Sequence, residues 1–217
     1  MNIWLILDLI PNHLRWPLRI FIDESQVGGS SRGLSMSIAV LLKQVPDTTA
    51  KISVSAGRVD ESAVSKWSMS PYDEYALESA LQLKESGGGD IVAITAGPAR
   101  CEKLLRDAAA VGADTLVHIS AENINDLDST QVQKLLAAAV EKIGSSVVFC
   151  GKQAADTNAG STGPGVAELI GASCVTLVSE VAADGADYSA TRPSAAGQEK
   201  VGVSAPCVFA FDKGITE

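Results

Sequence analysis

Four short apolar runs, each separated from the next by a helix-length segment, restrict this chain more than any other feature of its sequence. They fall at residues 37–42 (SIAVLL), 90–96 (DIVAITA), 115–119 and 147–150. A run with little polar alternation suits a strand covered on both faces, as in a parallel sheet. Between them, Ala76, Leu77, Ala80, Leu81 and Lys84 keep helical spacing in a helix over 71–86. Ser70 can cap that helix, Pro71 fits its first position, Asp73 completes a capping box, and Gly87, Gly88 and Gly89 end it. A second helix runs from Gly97-Pro98 through Ala110 to a stop at Gly112, and a third, rich in Ala and Leu, covers 129–143. This alternation predicts an α/β fold: a Rossmann-like parallel sheet with right-handed crossovers and helices on both faces.

The last third changes character. Residues 174–181, 187–191, 199–203 and 207–211 are strand-like, with Asp-Gly and Ala-Gly turns between them, so a small antiparallel excursion is expected near the C-terminus. A smaller hairpin is expected around 51–57.

Residues 1–35 do not share this pattern. Their apolar part is broken by Asp8, Pro11, Asn12 and His13 and is too short to span a bilayer. No basic residue precedes it, against a secretory signal, and Asp8, Asp23 and Glu24 argue against a transit peptide. With a joint at Gly28, Gly29, Ser30 and Ser31, it reads as a disordered leader or mis-called start with no role in the fold. Residues 36–217 then form one domain.

The net charge of −9 repels phosphate backbones and anionic headgroups, which excludes nucleic acid and stable membrane insertion from the expected partners. Cys101, Cys150, Cys174 and Cys207 form no CxxC pair, and each falls in a helix or strand segment. They are expected to be buried free thiols in a reducing compartment. His13 and His118 are not spaced with any Cys pair, so no zinc site is expected. His118, within a strand, reads as a core histidine.

Sheets of this kind bind ligands beyond the C-terminal strand ends. That points to the segments after Leu42, Ala96 and Cys150. The third runs Gly151, Lys152, Gln153, Ala154, Ala155, Asp156, Thr157, Asn158, Ala159, Gly160, Ser161, Thr162, Gly163 and leads into a helix over 164–170. Its small residues let backbone N–H groups approach an anion, its hydroxyls add donors, and the following helix adds its positive end. This suits a phosphate or pyrophosphate, although a polar surface loop with glycine turns has the same composition. There is no GxxxxGK[ST] loop, no GxSxG elbow and no GxGxxG after a strand. No residue pattern supplies bond-making chemistry, so the chain is not expected to be an enzyme.

Five ordered motifs resemble the electron-transfer flavoprotein β subunit, which has an adenine-nucleotide α-hydrolase-like fold. They are Lys43-Gln44-Val45-Pro46-Asp47, Ser68-Met69-Ser70-Pro71-Tyr72-Asp73-Glu74, Ala96-Gly97-Pro98, Leu105-Arg106 through Ala108 to Gly112-Ala113-Asp114, and Gly151-Lys152-Gln153-Ala154 followed by Asp156. The resemblance covers the chain from about Met36 onward. It implies a heterodimer with an α subunit that carries the redox FAD, with AMP or a second FAD in the β site. It also implies acyl-CoA-type dehydrogenases and a quinone oxidoreductase as electron partners. Carried over by position, Leu41, Ser70, Pro71, Tyr72, Asp73 and Ala96 take the adenine and ribose side. The stretch Gly151, Lys152, Gln153, Ala154, Asp156, Thr157, Asn158, Ala159, Gly160, Ser161 and Thr162 takes the phosphate side. Ser70 stands where the family usually has Asn, and family members continue beyond Glu217 into a partner-docking loop and a tail. The acidic doublet common in AMP-binding relatives is absent from Asp156-Thr157-Asn158, and the bifurcating pattern is not clean either. AMP and FAD therefore both stay open.

Two rivals share the architecture: a stand-alone nucleotide sensor of the universal-stress type, and an ATP-hydrolysing or adenylating enzyme. The expected location is cytoplasmic, or the mitochondrial matrix in a eukaryote.

Overall fold

The computed structural model describes residues 37–213 and the backbone of one strand at 19–22. The strands are β1 (Arg19–Ile22), β2 (Ser37–Leu41), β3 (Gln44–Pro46), β4 (Val54–Ser55), β5 (Arg58–Val59), β6 (Trp67–Met69), β7 (Asp90–Gly97), β8 (Thr115–Ser120) and β9 (Val147–Gly151), then β10 (Ser173–Val178), β11 (Glu180–Asp184), β12 (Asp187–Ser194), β13 (Gly197–Val203) and β14 (Cys207–Phe211). The helices are α1 (Pro71–Glu85), α2 (Glu102–Val111), α3 (Ser129–Ile143) and α4 (Thr162–Leu169).

The main sheet has the order β1-β8-β7-β2-β9-β14-β10. Its strands from β8 to β10 are parallel, and β1 lies antiparallel on β8 at the edge. That strand falls within the segment that the sequence assigns to a leader; the rest of residues 1–36 lies outside the described residues. The small sheet β11-β12-β13 is antiparallel, as are the pairs β3-β6 and β4-β5. The expected fold class, with helices on both faces and an antiparallel excursion near the C-terminus, is what the chain adopts.

The apolar runs explain the sheet. Every residue of β2, β9 and β14 is buried, so these strands have no polar face to give to water. Alternate residues feed two cores. Ile38, Val40, Ile91 and Phe149 meet Ala76, Ala80 and Leu83 of α1 and Leu104, Leu105 and Ala108 of α2. Ala39, Leu41, Val92 and Ile94 meet Leu136, Ala137 and Val140 of α3 and Val166 of α4. Helix α3 keeps its expected bounds because its ends are well marked. Asp128 accepts the Gln131 N–H at 2.8 Å while the Gln131 side chain accepts the Asp128 N–H at 2.9 Å, a reciprocal cap.

The sequence reading needs correction in the last third. The stretch 174–181 is not one strand. Leu177 has φ +60° and the pairing with β14 shifts between Thr176 and Val178. Ser179 then donates from both N–H and Oγ to the Thr191 carbonyl, at 2.9 and 3.1 Å, which turns the chain into the small sheet as β11. The stretch at 207–211 re-enters the main sheet between β9 and β10 as β14. Phe149 sits 4.8 Å from Phe211 and 5.5 Å from Phe209 between ring centroids, and Tyr188 of β12 lies 6.1 Å from Phe209, tying the small sheet to the core. Cys101, Cys150 and Cys207 are buried free thiols as expected, but Cys174 is exposed, on the edge strand β10 of the main sheet. His118 is buried with Nε2 2.9 Å from the Gly97 carbonyl, a satisfied core position.

Candidate functional site

The chain passes from β2 outward to β7 and β8, then returns to the other side of β2 as β9. The links through α1 and α2 cover one face of the sheet and the link through α3 covers the other. Beyond the C-terminal ends of β2 and β9 the connections therefore diverge and leave a crevice, the place where doubly wound sheets take ligands. A cleft of about 730 Å³ opens there.

Its floor is fixed by one buried carboxylate. Asp73 Oδ2 accepts the Lys43 N–H at 2.8 Å and Oδ1 accepts the Gly151 N–H at 3.0 Å. The start of α1 is thereby fastened to the ends of both β2 and β9. This overturns the expected capping box: Asp73 spends both oxygens on other elements. Ser70 occupies the N-cap position without a side-chain cap bond. Its Oγ accepts the Ala155 N–H at 3.3 Å and its N–H donates to the Lys43 carbonyl at 2.9 Å. Burial pushes the Asp73 carboxyl up to about 7, against the pull of its two N–H donors and of the Lys43 charge. Gly151 is required by this close approach, since a Cβ there would lie 2.5 Å from Asp73 Oδ1 and 2.7 Å from Tyr72 Cβ.

The loop that follows forms one wall. Lys152 N–H donates to the Phe211 carbonyl at 2.7 Å, which starts the loop across the β14 end. Asn158, at φ +52°, donates its N–H to the Ala154 carbonyl at 2.9 Å and accepts from Gln153 Nε2 at 2.8 Å. Gly160 supplies a second left-handed residue at φ +67°. Gln133 of α3 holds the far end by donating to the Ser161 carbonyl at 3.0 Å. Helix α4 begins at Thr162, two residues before its expected start, and Ser161 makes no side-chain cap bond. The Thr162 and Gly163 N–H groups therefore stand at a helix start without that cap, which is the donor arrangement an anion takes.

Of the residues singled out from sequence, Leu41, Asp73, Ala96, Gly151, Gln153, Ala154, Asp156, Thr157, Ala159, Gly160, Ser161 and Thr162 line the cleft. Ser70, Pro71, Tyr72, Lys152 and Asn158 do not line it. Lys152 points away, with Nζ 2.9 Å from the Asp212 carboxylate and 4.9 Å above the Tyr72 ring. The cation that faces the cleft near this loop is Lys43, whose Nζ lies 2.7 Å from Asp156.

The opposite wall was missed. Arg58, Glu61, Trp67, Arg100, Glu122, Asn125 and Asp126 line it. The Arg100 guanidinium lies 3.9 Å over the Trp67 ring with Nη2 3.2 Å from Glu61, and Asn125 donates to Glu61 at 2.5 Å. Arg58 pairs with Asp126. These contacts join the excursion between β3 and β6 to the segments after β7 and β8. The strand-end rule applied to β8 as well would have found Glu122, Asn125 and Asp126; the excursion carried no such signal.

Burial pushes the Cys101 thiol up to about 11 and the Cys150 thiol higher still, so both lining cysteines stay protonated at neutral pH. Among the described residues no group of three or more His, Cys, Asp and Glu is placed to hold a metal ion, and no helix is long and apolar enough to cross a membrane.

Residues 59–217 match the family described as electron transfer flavoprotein domain. The chain is 33% identical over 183 residues to the electron transfer flavoprotein subunit beta of Bacillus subtilis, covering 84% of this chain and 71% of that protein. It is 34% identical over 177 residues to the acryloyl-CoA reductase electron transfer subunit gamma of Anaerotignum propionicum, covering 80% and 66%. It is 34% identical over 181 residues to the mitochondrial electron transfer flavoprotein subunit beta of Arabidopsis thaliana, covering 82% and 71%.

Proposed function

The chain belongs to the electron transfer flavoprotein family as a β-type subunit, and from that premise we propose that its cleft holds an adenine nucleotide as a fixed structural ligand. The ligand is AMP, or the adenylate half of a second FAD. The observation that carries this reading is the crevice between β2 and β9, walled by a small-residue loop that ends on an uncapped helix start. Thr157, Gly160, Ser161 and Thr162 take the phosphate, while Leu41, Ala96 and the α1 start flank the adenosine. Gln153, Ala154, Asp156 and Ala159 shape the phosphate side, and Ser70, Pro71, Tyr72, Lys152 and Asn158 support from behind.

In this reading the chain performs no bond-making step of its own. It pairs with an α subunit that carries the redox FAD, and the pair passes electrons from dehydrogenases of the acyl-CoA type toward a quinone oxidoreductase. Residues 36–217 act as the nucleotide-binding unit. Co-expression with the α subunit should yield a complex with a flavin absorbance spectrum. Mass spectrometry of the released ligands should find AMP beside one FAD, or two FAD. A purified pair with neither flavin nor AMP ends the proposal, and a homodimer that binds ATP without flavin favours a stand-alone sensor. Replacing Ser161 with Phe should lower nucleotide occupancy; unchanged occupancy would show that the phosphate sits elsewhere.

A further inference from the structure

The structure assigns Lys43 as the residue that selects for the phosphate of the ligand, with Asp156 as an internal stand-in that occupies its ammonium until the phosphate arrives. This inference rests on the adenine-nucleotide reading of the cleft.

Lys43 lies two residues beyond the end of β2, and its backbone is held by the buried Asp73. The stem of its side chain therefore starts from a fixed point at the cleft floor. Its Nζ reaches into the mouth of the cleft, where Asp156 Oδ2 lies at 2.7 Å and Oδ1 at 2.8 Å. These are the distances of a charge-assisted bond from an ammonium to a phosphate oxygen. Asp156, Thr157, Ser161 and Thr162 line the same cleft from the same loop.

The pair is cheap to open. Its side chains are 44% and 31% exposed, and ion pairs this open to water add little to stability. A phosphate brings more negative charge than a carboxylate and more acceptor oxygens, so it competes well for the ammonium. The other cleft cations are already engaged on the far wall: Arg100 by Glu61 and Trp67, and Arg58 by Asp126. Lys152, the lysine within the loop itself, is turned to Asp212. Lys43 is thus the cation beside the loop, and Asp156 offsets the charge it would otherwise leave unpaired near the buried Asp73.

The exchange makes the pair a specificity device. With the site empty, Asp156 neutralises Lys43, and a ligand that cannot displace the carboxylate finds no free ammonium. A nucleotide whose phosphate reaches the loop takes the ammonium, and a nucleoside without phosphate leaves the pair closed. Adenosine and AMP should therefore respond differently to changes at residues 43 and 156.

The test is calorimetric titration of the nucleotide-free full chain, in complex with its α subunit, with AMP and with adenosine. The unaltered protein should bind AMP at least about tenfold more tightly than adenosine, the scale of one charge-assisted bond. Lys43→Gln should reduce that ratio to within about threefold while adenosine affinity holds, which also shows that the variant is folded; Lys43→Arg should restore most of it. Asp156→Asn should raise AMP affinity by about threefold or more and leave adenosine unchanged, since the competitor is removed. Lys103→Gln, on the outer face of α2, controls for net charge. An unchanged AMP-to-adenosine ratio in Lys43→Gln overturns this inference while leaving the nucleotide site standing. Failure of the unaltered protein to bind either compound overturns the nucleotide site, and this inference with it.

Discussion

The floor of the cleft is made from residues with almost no exposure, Leu41, Leu42 and Cys150, with Val40 and Phe149 just before them in the same strands, and from a carboxylate, Asp73, that is itself buried. Its walls are held by groups half in water: Lys43 with Asp156, Arg58 with Asp126, Arg100 with Glu61. The floor draws on apolar burial and close packing, which are strong and unforgiving of shape. The walls draw on exposed ion pairs, each weak by itself and easily rearranged. A binding cleft with a rigid base and yielding sides can keep its position in the fold while its lining adjusts to a ligand.

That contrast can be broken first at its strongest point. Phe149→Ala removes a ring packed between Phe209 and Phe211, and should cost about 4 kcal/mol in urea denaturation. A loss below about 1 kcal/mol would mean that the core under the floor is not rigid. Next comes Gly151→Ala. Its new Cβ would meet Tyr72 backbone carbon at 2.8 Å as well as Asp73, so a loss of about 3 kcal/mol is expected, together with a drop in nucleotide occupancy.

A pH series addresses Asp73 itself. Burial raises its carboxyl to about 7, so between about pH 4 and about pH 7 the folded chain holds this proton more tightly than the unfolded one. The resulting contribution to stability is fully present below about pH 4 and is lost as pH rises through about 7. Asp73→Asn, which has no such proton, should show a flatter stability profile across that window than the unaltered protein. Parallel profiles would remove the buried carboxyl from the account. The smallest effect belongs to the walls. Arg58→Ala, at a pair whose side chains are 72% and 44% exposed, should shift stability by no more than about 0.5 kcal/mol, and a shift above about 1.5 kcal/mol would show that the wall contributes to the fold as strongly as the floor.

Much of this was legible in the residues. The runs at β2, β7, β8 and β9 are apolar enough to require cover on both faces, and α1 and α3 carry their start and stop residues locally. The loop after β9 was found because small residues and hydroxyls cluster at a strand end. What escaped were partners. Asp73 looked like a capping residue because Ser70 lies three positions before it, and within one helix turn that is the economical reading. Lys152 looked like the loop lysine because it lies in the loop. The far wall escaped because Glu61, Trp67 and Arg100 come from an excursion and a turn with no shared local pattern.

By itself the sequence determined the kinds of element, their approximate ends and the parallel sense of the sheet, because each of these follows from the period and length of an apolar pattern within a short window. The family, too, was readable from short ordered motifs. Only the tertiary structure decided that β14 enters between β9 and β10, that Asp73 serves Lys43 and Gly151, and that Lys43 rather than Lys152 faces the cleft. The residues in these last contacts lie 30, 78 and 113 positions apart for Lys43 with Asp73, Asp73 with Gly151, and Lys43 with Asp156. Their pairing is settled by which strands become neighbours and how closely α1 packs on them, and no local stretch of chain contains that information.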